Sequence, residues 1–102
     1  MELADIRDCV QRGAFFVTDH AIAEGFKEGI RVADMVKVIL SGEIVESHAE
    51  RCRCVILGRH DEGVPIHIVV DWSSRVAVDI VTTYIPQEDR WIKGRVRRKR
   101  RR

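Results

Sequence analysis

Apolar residues recur every three or four positions in parts of the first 42 residues, a spacing that predicts amphipathic helices. Leu3, Ile6 and Val10 predict a short first helix that ends near Gly13. The most regular run precedes Gly42 and consists of Val32, Met35, Val36, Ile39 and Leu40. These five positions follow the i, i+3, i+4, i+7, i+8 pattern, so we predict a helix there with Gly42 just past its end.

The segment between these two helices is less regular. Residues 15–17 are two phenylalanines and a valine, and they predict a brief extended run. Thr18 or Asp19 can cap a second helix, with Ile22 and Phe26 on one of its faces. Two glycines, Gly25 and Gly29, would weaken and end this helix.

After Gly42 the apolar period changes from 3.6 to 2 and β-branched residues become frequent, which predicts strands. The four predicted strands are Glu43 to His48, Arg51 to Gly58, Val64 to Asp71 and Val76 to Ile85. The connections between them are short enough for antiparallel hairpins. The sequence therefore predicts an α+β domain in which N-terminal helices pack on an antiparallel sheet of about four strands.

The last predicted hairpin allows an expectation about register. Its apolar positions are all even-numbered, namely Ile66, Ile68, Val70, Val76, Val78 and Ile80. If both sets face the core, the opposite face collects His67, Asp71, Asp79 and Thr83. In the register that pairs residue 71 with residue 75, His67 would lie directly opposite Asp79, and a register shifted by two would place them diagonally. Tyr84 would share the apolar face unless the strand ends there and its ring turns to the rim.

Size and charge suggest one small acidic domain with a basic tail. The chain has 102 residues, and residues 1–94 hold 11 Lys+Arg against 16 Asp+Glu, a net charge near −5. The charged first 20 residues do not resemble a signal peptide and no apolar run is long enough to span a bilayer, so we expect a cytoplasmic protein. The odd count of three cysteines favours reduced thiols over a disulfide framework.

Residues 95–102 form the predicted basic and disordered tail. Its cationic members are Arg95, Arg97, Arg98, Lys99, Arg100, Arg101 and Arg102. A run of cations gains most by neutralising phosphates and releasing their counterions, so nucleic acid is the first partner to consider. A solubilising tail that binds polyanions without selectivity is the alternative.

Several polar residues are candidates for chemistry. His20 follows the predicted helix cap, where the helix dipole favours a neutral imidazole that can act as a base. Arg53 and its neighbours on the same strand can contact phosphate or pair with glutamates. The Cys52-x-Cys54 pair can in principle bind zinc with a histidine, but the spacing is unusual for zinc sites and small buried thiols are the favoured explanation.

A set of short segments in a fixed order resembles the domain-of-unknown-function (DUF) 4258 family. These segments are Thr18-Asp19-His20-Ala21, Glu28-Gly29-Ile30, Ser41-Gly42-Glu43-Ile44-Val45-Glu46, Leu57-Gly58, Pro65 to Val70 and Ile80 to Pro86. Members of this family resemble RelE-like and MqsR-like toxins, which are metal-independent ribonucleases of toxin–antitoxin pairs. The resemblance therefore implies a small RelE-like or barnase-like ribonuclease architecture without metal or cofactor.

Carried over by position, the resemblance implies catalytic roles for His20, His67 and Tyr84. For the implied reaction, Arg53 or Arg90 is the candidate phosphate contact. The implied reaction is RNA cleavage by attack of the ribose 2′-hydroxyl on the adjacent phosphate, which needs a base, an acid and cations. The implied partners are messenger or ribosome-associated RNA and a small zinc-finger or DNA-binding antitoxin. The alternative function is a non-catalytic RNA- or ribosome-binding module that uses the basic tail.

Overall fold

The computed structural model describes residues 1–99, so Arg100, Arg101 and Arg102 of the predicted tail lie outside the described residues. The chain folds into three helices followed by a sheet and a small C-terminal hairpin. The helices are α1 (Leu3–Gln11), α2 (Asp19–Lys27) and α3 (Val32–Ser41). A single 3-10 turn, Ala49–Arg51, separates the second and third strands.

Five strands form the main sheet, in the order β1-β5-β4-β3-β2. They are β1 (Phe15–Val17), β2 (Glu43–His48), β3 (Arg53–Arg59), β4 (Pro65–Asp71) and β5 (Val78–Tyr84). Strands β2 to β5 are antiparallel neighbours, as predicted, but β1 adds a fifth strand that runs parallel to β5. The α+β class is confirmed, and the purely antiparallel four-stranded sheet is replaced by a mixed sheet of five strands.

Helix α2 begins as the sequence indicates, because the Thr18 hydroxyl accepts a hydrogen bond from the Ala21 backbone nitrogen at 3.0 Å. The predicted apolar face of this helix is solvent-exposed, with Phe26 at 86% and Ile22 at 48% of full exposure. The buried residues of the helix are instead Ala21 and Gly25. Small side chains let α2 lie close to β5.

The core lies between the helices and one face of the sheet. Its largest fully buried side chains include Ile6, Met35, Ile39, Ile56, Ile66, Ile68 and Ile80. The even-numbered pattern of the last hairpin is confirmed for residues 66, 68, 70, 78 and 80, all of which are buried. Val76 departs from it and is 74% exposed, because it lies in the loop before β5.

The predicted register of the last hairpin is wrong. Asp71 pairs with Asp79, and His67 lies opposite Tyr84 rather than Asp79. The loop is longer than predicted because Trp72 is buried after β4 and its backbone nitrogen donates to the Cys52 carbonyl. A bulge in β5 between residues 80 and 82 then reverses the pattern, so that Thr83 faces the core instead of sharing a face with His67.

Strands β6 (Trp91–Ile92) and β7 (Val96–Arg97) form an antiparallel hairpin after the main sheet. Residues 95–99, which the sequence analysis assigns to the tail, therefore include a strand. Arg97 contacts the main sheet through its ion pair with Glu46. No helix within residues 1–99 has the length and apolarity needed to cross a membrane.

Candidate functional site

The centre of the candidate site is His67, on the face of the sheet that points away from the helices. Its Nε2 lies 2.6 Å from the Gly94 carbonyl oxygen, and its Nδ1 lies 3.3 Å from the Tyr84 hydroxyl. The ring of Trp91 packs edge-on against the imidazole, with 4.4 Å between ring centroids. These contacts leave His67 fully buried, so it does not reach solvent.

The hydrogen bond to Gly94 defines which nitrogen of a neutral His67 carries the proton. A carbonyl oxygen only accepts, so Nε2 carries a proton and donates it to Gly94. Burial lowers the pKa of His67, although the hydrogen bond to Gly94 and the nearby Glu46 carboxylate oppose this effect. In a neutral imidazole Nδ1 has no proton and accepts a hydrogen bond from the Tyr84 hydroxyl.

Tyr84 connects this buried histidine to an open cleft. Its phenol is partly buried, and burial raises the pKa of Tyr84, so the hydroxyl is protonated at neutral pH. We call the cleft of about 440 Å³ above it the Tyr84 cleft. The lining residues are Glu24, Glu28, Tyr84, Ile85, Gln87, Arg90, Trp91 and Arg97.

The two walls of the Tyr84 cleft carry opposite charges. Helix α2 and the turn after it contribute the carboxylates Glu24 and Glu28, and the C-terminal segment contributes Arg90 and Arg97. Lys27 pairs with Glu24 at 2.9 Å and holds the pKa of that carboxyl below its usual range. The cleft can therefore hold an anionic group of a ligand against the arginines. A carboxylate on the opposite wall can then face a hydroxyl group of the same ligand.

Arg97 is held in a fixed position over the sheet. Its Nη2 and Nε donate to the two carboxylate oxygens of Glu46 at 3.0 and 3.2 Å, and its guanidinium lies 4.5 Å from the centroid of the Trp91 ring. Glu46 also contacts His48 Nε2 at 2.8 Å. Arg97, then His48, lowers the pKa of Glu46, although partial burial opposes this. The bidentate pair and the stacking together fix Arg97 at the edge of the cleft.

His20 lies apart from the other predicted catalytic residues. It is exposed in the first turn of α2 and makes no hydrogen bond or ion pair within the part of the chain that the structure describes. His20 lies one helical turn before Glu24 and two turns before Glu28, so the three residues lie on the same side of α2 and its C-terminal end. The structure thus brings together His67 and Tyr84, with His20 beside the carboxylate wall.

Arg53 is also outside the Tyr84 cleft. Its Nε donates to Asp71 at 2.8 Å, and Asp71 also accepts from the backbone nitrogen of Ser73. The opposite end of the strand, residue 59, is the one near the cleft. The sequence analysis gave Arg53 as a phosphate contact, and in the structure its charge is compensated by Asp71.

The cysteine pair does not form a chelating arrangement. Cys54 is fully buried in the core, and burial raises its pKa to about 11, which favours the neutral thiol over the thiolate that zinc binds. Cys52 ends the 3-10 turn with a left-handed backbone. Within residues 1–99 no group of three or more metal-ligating side chains is placed to hold a metal ion.

Sequence reasoning missed three residues of the site, namely Glu24, Trp91 and Gly94, whereas it named Arg90 as an alternative phosphate contact. Glu24 follows His20 by four positions, and this i, i+4 spacing was the available signal. Trp91 and Gly94 lie on the hairpin that folds back over His67. No local pattern in the sequence indicates that return.

Comparison with known proteins gives one match. The family model described as "Domain of unknown function (DUF4258)" matches residues 17–85. The matched region contains His20, His67 and Tyr84, whereas Arg90 and Arg97 follow it. No curated protein and no solved structure matches the chain.

Proposed function

The chain belongs to the DUF4258 family, and from the geometry of its Tyr84 cleft we propose that it is a metal-independent ribonuclease that cleaves RNA through attack of the ribose 2′-hydroxyl. The observation that carries the proposal is the hydrogen bond between the Tyr84 hydroxyl and the buried imidazole of His67. This bond orients a protonated phenol at the base of a cleft whose walls bear carboxylates and arginines. Such a cleft offers a donor, a base and cations to one phosphodiester.

The proposed reaction assigns each wall a role. Glu24, which lines the cleft, removes the proton from the 2′-hydroxyl as its oxygen attacks the phosphorus, and His20, one helical turn earlier and outside the lining, is the alternative base. Arg90 stabilises the additional negative charge on the phosphorane oxygens, and Arg97, whose Nε and Nη2 are bonded to Glu46, adds the donors that remain on its guanidinium.

When RNA is bound, the Tyr84 hydroxyl turns its proton from His67 Nδ1 to the departing 5′-oxygen and transfers it there, so the products are a 2′,3′-cyclic phosphate and a 5′-hydroxyl. The protonated base then loses its proton to solvent, and the phenolate regains one from solvent.

In this scheme His67 is a positioning residue. It is buried beneath Tyr84 and fixes the direction of the phenol, while its own proton is held by Gly94. This differs from the direct acid or base role that the family resemblance implied for it. The variant His67→Gln tests the assignment, because an amide can preserve part of the hydrogen bonding without titrating.

The test is cleavage of a fluorescent RNA in the presence of a metal chelator. Wild type should release a 2′,3′-cyclic phosphate end, and Tyr84→Phe, Glu24→Gln and His20→Ala should each be compared with it. Loss of an acid or base is expected to reduce the rate about 10²-fold or more. Arg75→Asn, in the loop between β4 and β5, is the matched control. RNA cut equally by wild type and by Tyr84→Phe, or cut by neither, would contradict the mechanism.

The resemblance to RelE-like and MqsR-like toxins extends the proposal to a toxin–antitoxin pair. A small zinc-finger or DNA-binding antitoxin would then cover the Tyr84 cleft. We expect the adjacent reading frame to encode such a protein, and co-expression to restore growth that the wild-type chain inhibits. Growth inhibition by both wild type and Tyr84→Phe would indicate a cause other than cleavage.

A non-catalytic RNA-binding module is the second candidate. The observation that favours it is that His20 is exposed and does not line the Tyr84 cleft, so among residues 1–99 no imidazole base lines the cleft beside the Tyr84 hydroxyl. This candidate expects salt-sensitive binding of intact RNA. The variant R100Q/R101Q/R102Q removes tail charge without altering residues 1–99, and it should weaken binding strongly under this alternative.

A further inference from the structure

A second cavity adjoins the Tyr84 cleft at the same end of the sheet. It encloses about 890 Å³, and it shares Ile85, Gln87 and Trp91 with the Tyr84 cleft. We call it the basic groove. Its charged lining residues are the cations Arg59, Lys93, Arg95 and Arg98 and one acidic residue, Glu88. The two cavities together form a continuous depression around Trp91.

Three of the four cations form no ion pair within the described part of the chain, although Glu88 lines the same groove. Arg98 Nε donates to the backbone oxygen of Glu88 at 2.6 Å, and Arg59 Nη1 donates to the backbone oxygen of Gly63 at 2.9 Å. Backbone carbonyls position a guanidinium without neutralising it. Neither of these arginines, nor Lys93, has a carboxylate within ion-pair distance among residues 1–99.

The fourth cation, Arg95, forms an ion pair and also lines a neighbouring cavity. Arg95 forms an ion pair with Glu43 at the start of β2. Arg95 and Arg59 also line a smaller cavity that reaches the end of α3 at Ser41. Positive charge thus follows one side of the molecule from α3 to the Tyr84 cleft, although residues 1–94 carry more acidic than basic side chains.

Part of the lining of the basic groove is apolar. Pro65 and Ile85 are half-buried there, and the other two apolar lining residues, Pro86 and Trp91, are buried. A cationic rim around an apolar surface complements a chain that exposes both phosphates and unpaired bases. In a duplex the bases are stacked inside the helix, and only the backbone would meet this surface.

We propose that the basic groove binds a single-stranded segment of RNA next to the nucleotide that occupies the Tyr84 cleft. This inference rests on the proposed function and names its substrate as single-stranded RNA. Arg59, Lys93 and Arg98 contact successive phosphates, and bases pack on the proline and isoleucine surface. Because the groove and the cleft share Trp91, one strand can occupy both.

Binding can be measured without cleavage by using 2′-O-methyl RNA, which has no free 2′-hydroxyl. A labelled strand of about eight nucleotides should bind in a fluorescence anisotropy titration, whereas a dinucleotide should bind weakly. The triple variant R59Q/K93N/R98Q should bind the longer strand about tenfold more weakly. The dependence of log affinity on log salt should become shallower by about 0.7 for each phosphate that the variant no longer neutralises.

The controls use matched backbone geometry. Lys93 and Arg75 both have left-handed backbones, with φ of 52° and 65°, a conformation that asparagine tolerates. Arg75→Asn therefore removes one exposed cation from the loop at the opposite end of β4 and β5, and it should leave affinity nearly unchanged. Lys93→Asn alone should weaken binding.

The outcomes separate this inference from the proposed reaction. Equal affinity of wild type and the triple variant, or tighter binding of a duplex than of the single strand, would overturn the groove assignment. Groove-dependent binding of 2′-O-methyl RNA together with intact natural RNA would support the groove while refuting the reaction. If Tyr84→Phe abolishes cleavage but the triple variant binds RNA as tightly as wild type, the reaction would be supported and the groove assignment refuted.

Discussion

The Nε2 atom of His67 lies 2.6 Å from the carbonyl oxygen of Gly94, 27 residues later in the chain. This bond joins the middle of the main sheet to the turn of the β6–β7 hairpin. The hairpin in turn supplies Trp91, which packs on the imidazole. The position of Tyr84 therefore depends on a residue that lies outside the matched family region.

Replacing His67 with alanine should destabilise the fold. The change removes a fully buried side chain and leaves the Gly94 carbonyl without its donor, for an expected cost of about 2–4 kcal/mol. The free energy of unfolding in urea is the measurement. His20→Ala is the matched control, because His20 is exposed, and its effect should stay within about 0.5 kcal/mol. Similar losses in the two variants would contradict the structural role of His67.

Stability should also fall in mild acid because of His67. Burial lowers the pKa of this histidine in the folded state, so below about pH 6.5 the unfolded chain binds more protons than the folded one. The free energy of unfolding of wild type should therefore decrease between about pH 6.5 and pH 5, before carboxylates titrate in the unfolded chain.

The variant His67→Gln isolates this effect. Its free energy of unfolding should change less over the same pH interval, since the glutamine does not titrate. In the wild-type protein, the NMR titration of the His67 ring should have a midpoint below about 6.5. A midpoint above that value, or parallel pH profiles for the two proteins, would refute the assignment.

Local patterns predicted much of the fold. The bounds of β2, Glu43–His48, agree with the prediction, since alternation and β-branching change sharply after Gly42. Three features depended on contacts that no local pattern encodes. Residues 15–17 pair in parallel with β5, Trp72 is buried and lengthens a loop, and a bulge in β5 reverses one face.

The candidate site was predictable only in part for the same reason. His67 and Tyr84 were identified, but their contact required the register that the longer loop and the bulge produce. The cover over His67 comes from the hairpin after residue 90. Hydrophobic periodicity predicts which residues are buried better than it predicts which distant segments meet.

Gly25 should resist replacement by alanine despite its position in a helix. Helix propensity alone would make Gly25→Ala stabilising by about 1 kcal/mol. A Cβ at this position would lie 2.6 Å from the Ile30 carbonyl oxygen and 2.9 Å from Met35 Cε. Such contacts force backbone displacement, and overpacking typically costs about 1–3 kcal/mol. We expect the steric cost to exceed the gain in propensity.

Urea unfolding of Gly25→Ala shows directly whether the substitution raises or lowers the free energy of unfolding. Ala23→Gly, at an exposed position of the same helix, measures the size of the propensity contribution and should cost about 1 kcal/mol. A Gly25→Ala protein more stable than wild type would show that α2 can move away from β5 without loss.

Two truncated chains should separate the contribution of the C-terminal segment to stability from the contribution of its charge to RNA binding. A chain ending at Gly94 lacks β7 and the ion pair of Arg97 with Glu46, whereas a chain ending at Lys99 keeps both. Arg97 and Glu46 are partly exposed, so we expect the shorter chain to lose about 1–2 kcal/mol of stability. The chain ending at Lys99 should match the stability of the full-length protein.

Urea unfolding and RNA binding of both truncations provide the measurement, with Arg97→Gln in the full-length chain as the control. Arg97→Gln should reproduce part of the stability loss while it retains most of the tail charge. The chain ending at Lys99 should bind RNA more weakly than the full-length chain, because it lacks three arginines, without any loss of stability. If the chain ending at Gly94 is equally stable, β7 and the ion pair of Arg97 with Glu46 contribute nothing to stability, which would contradict this prediction.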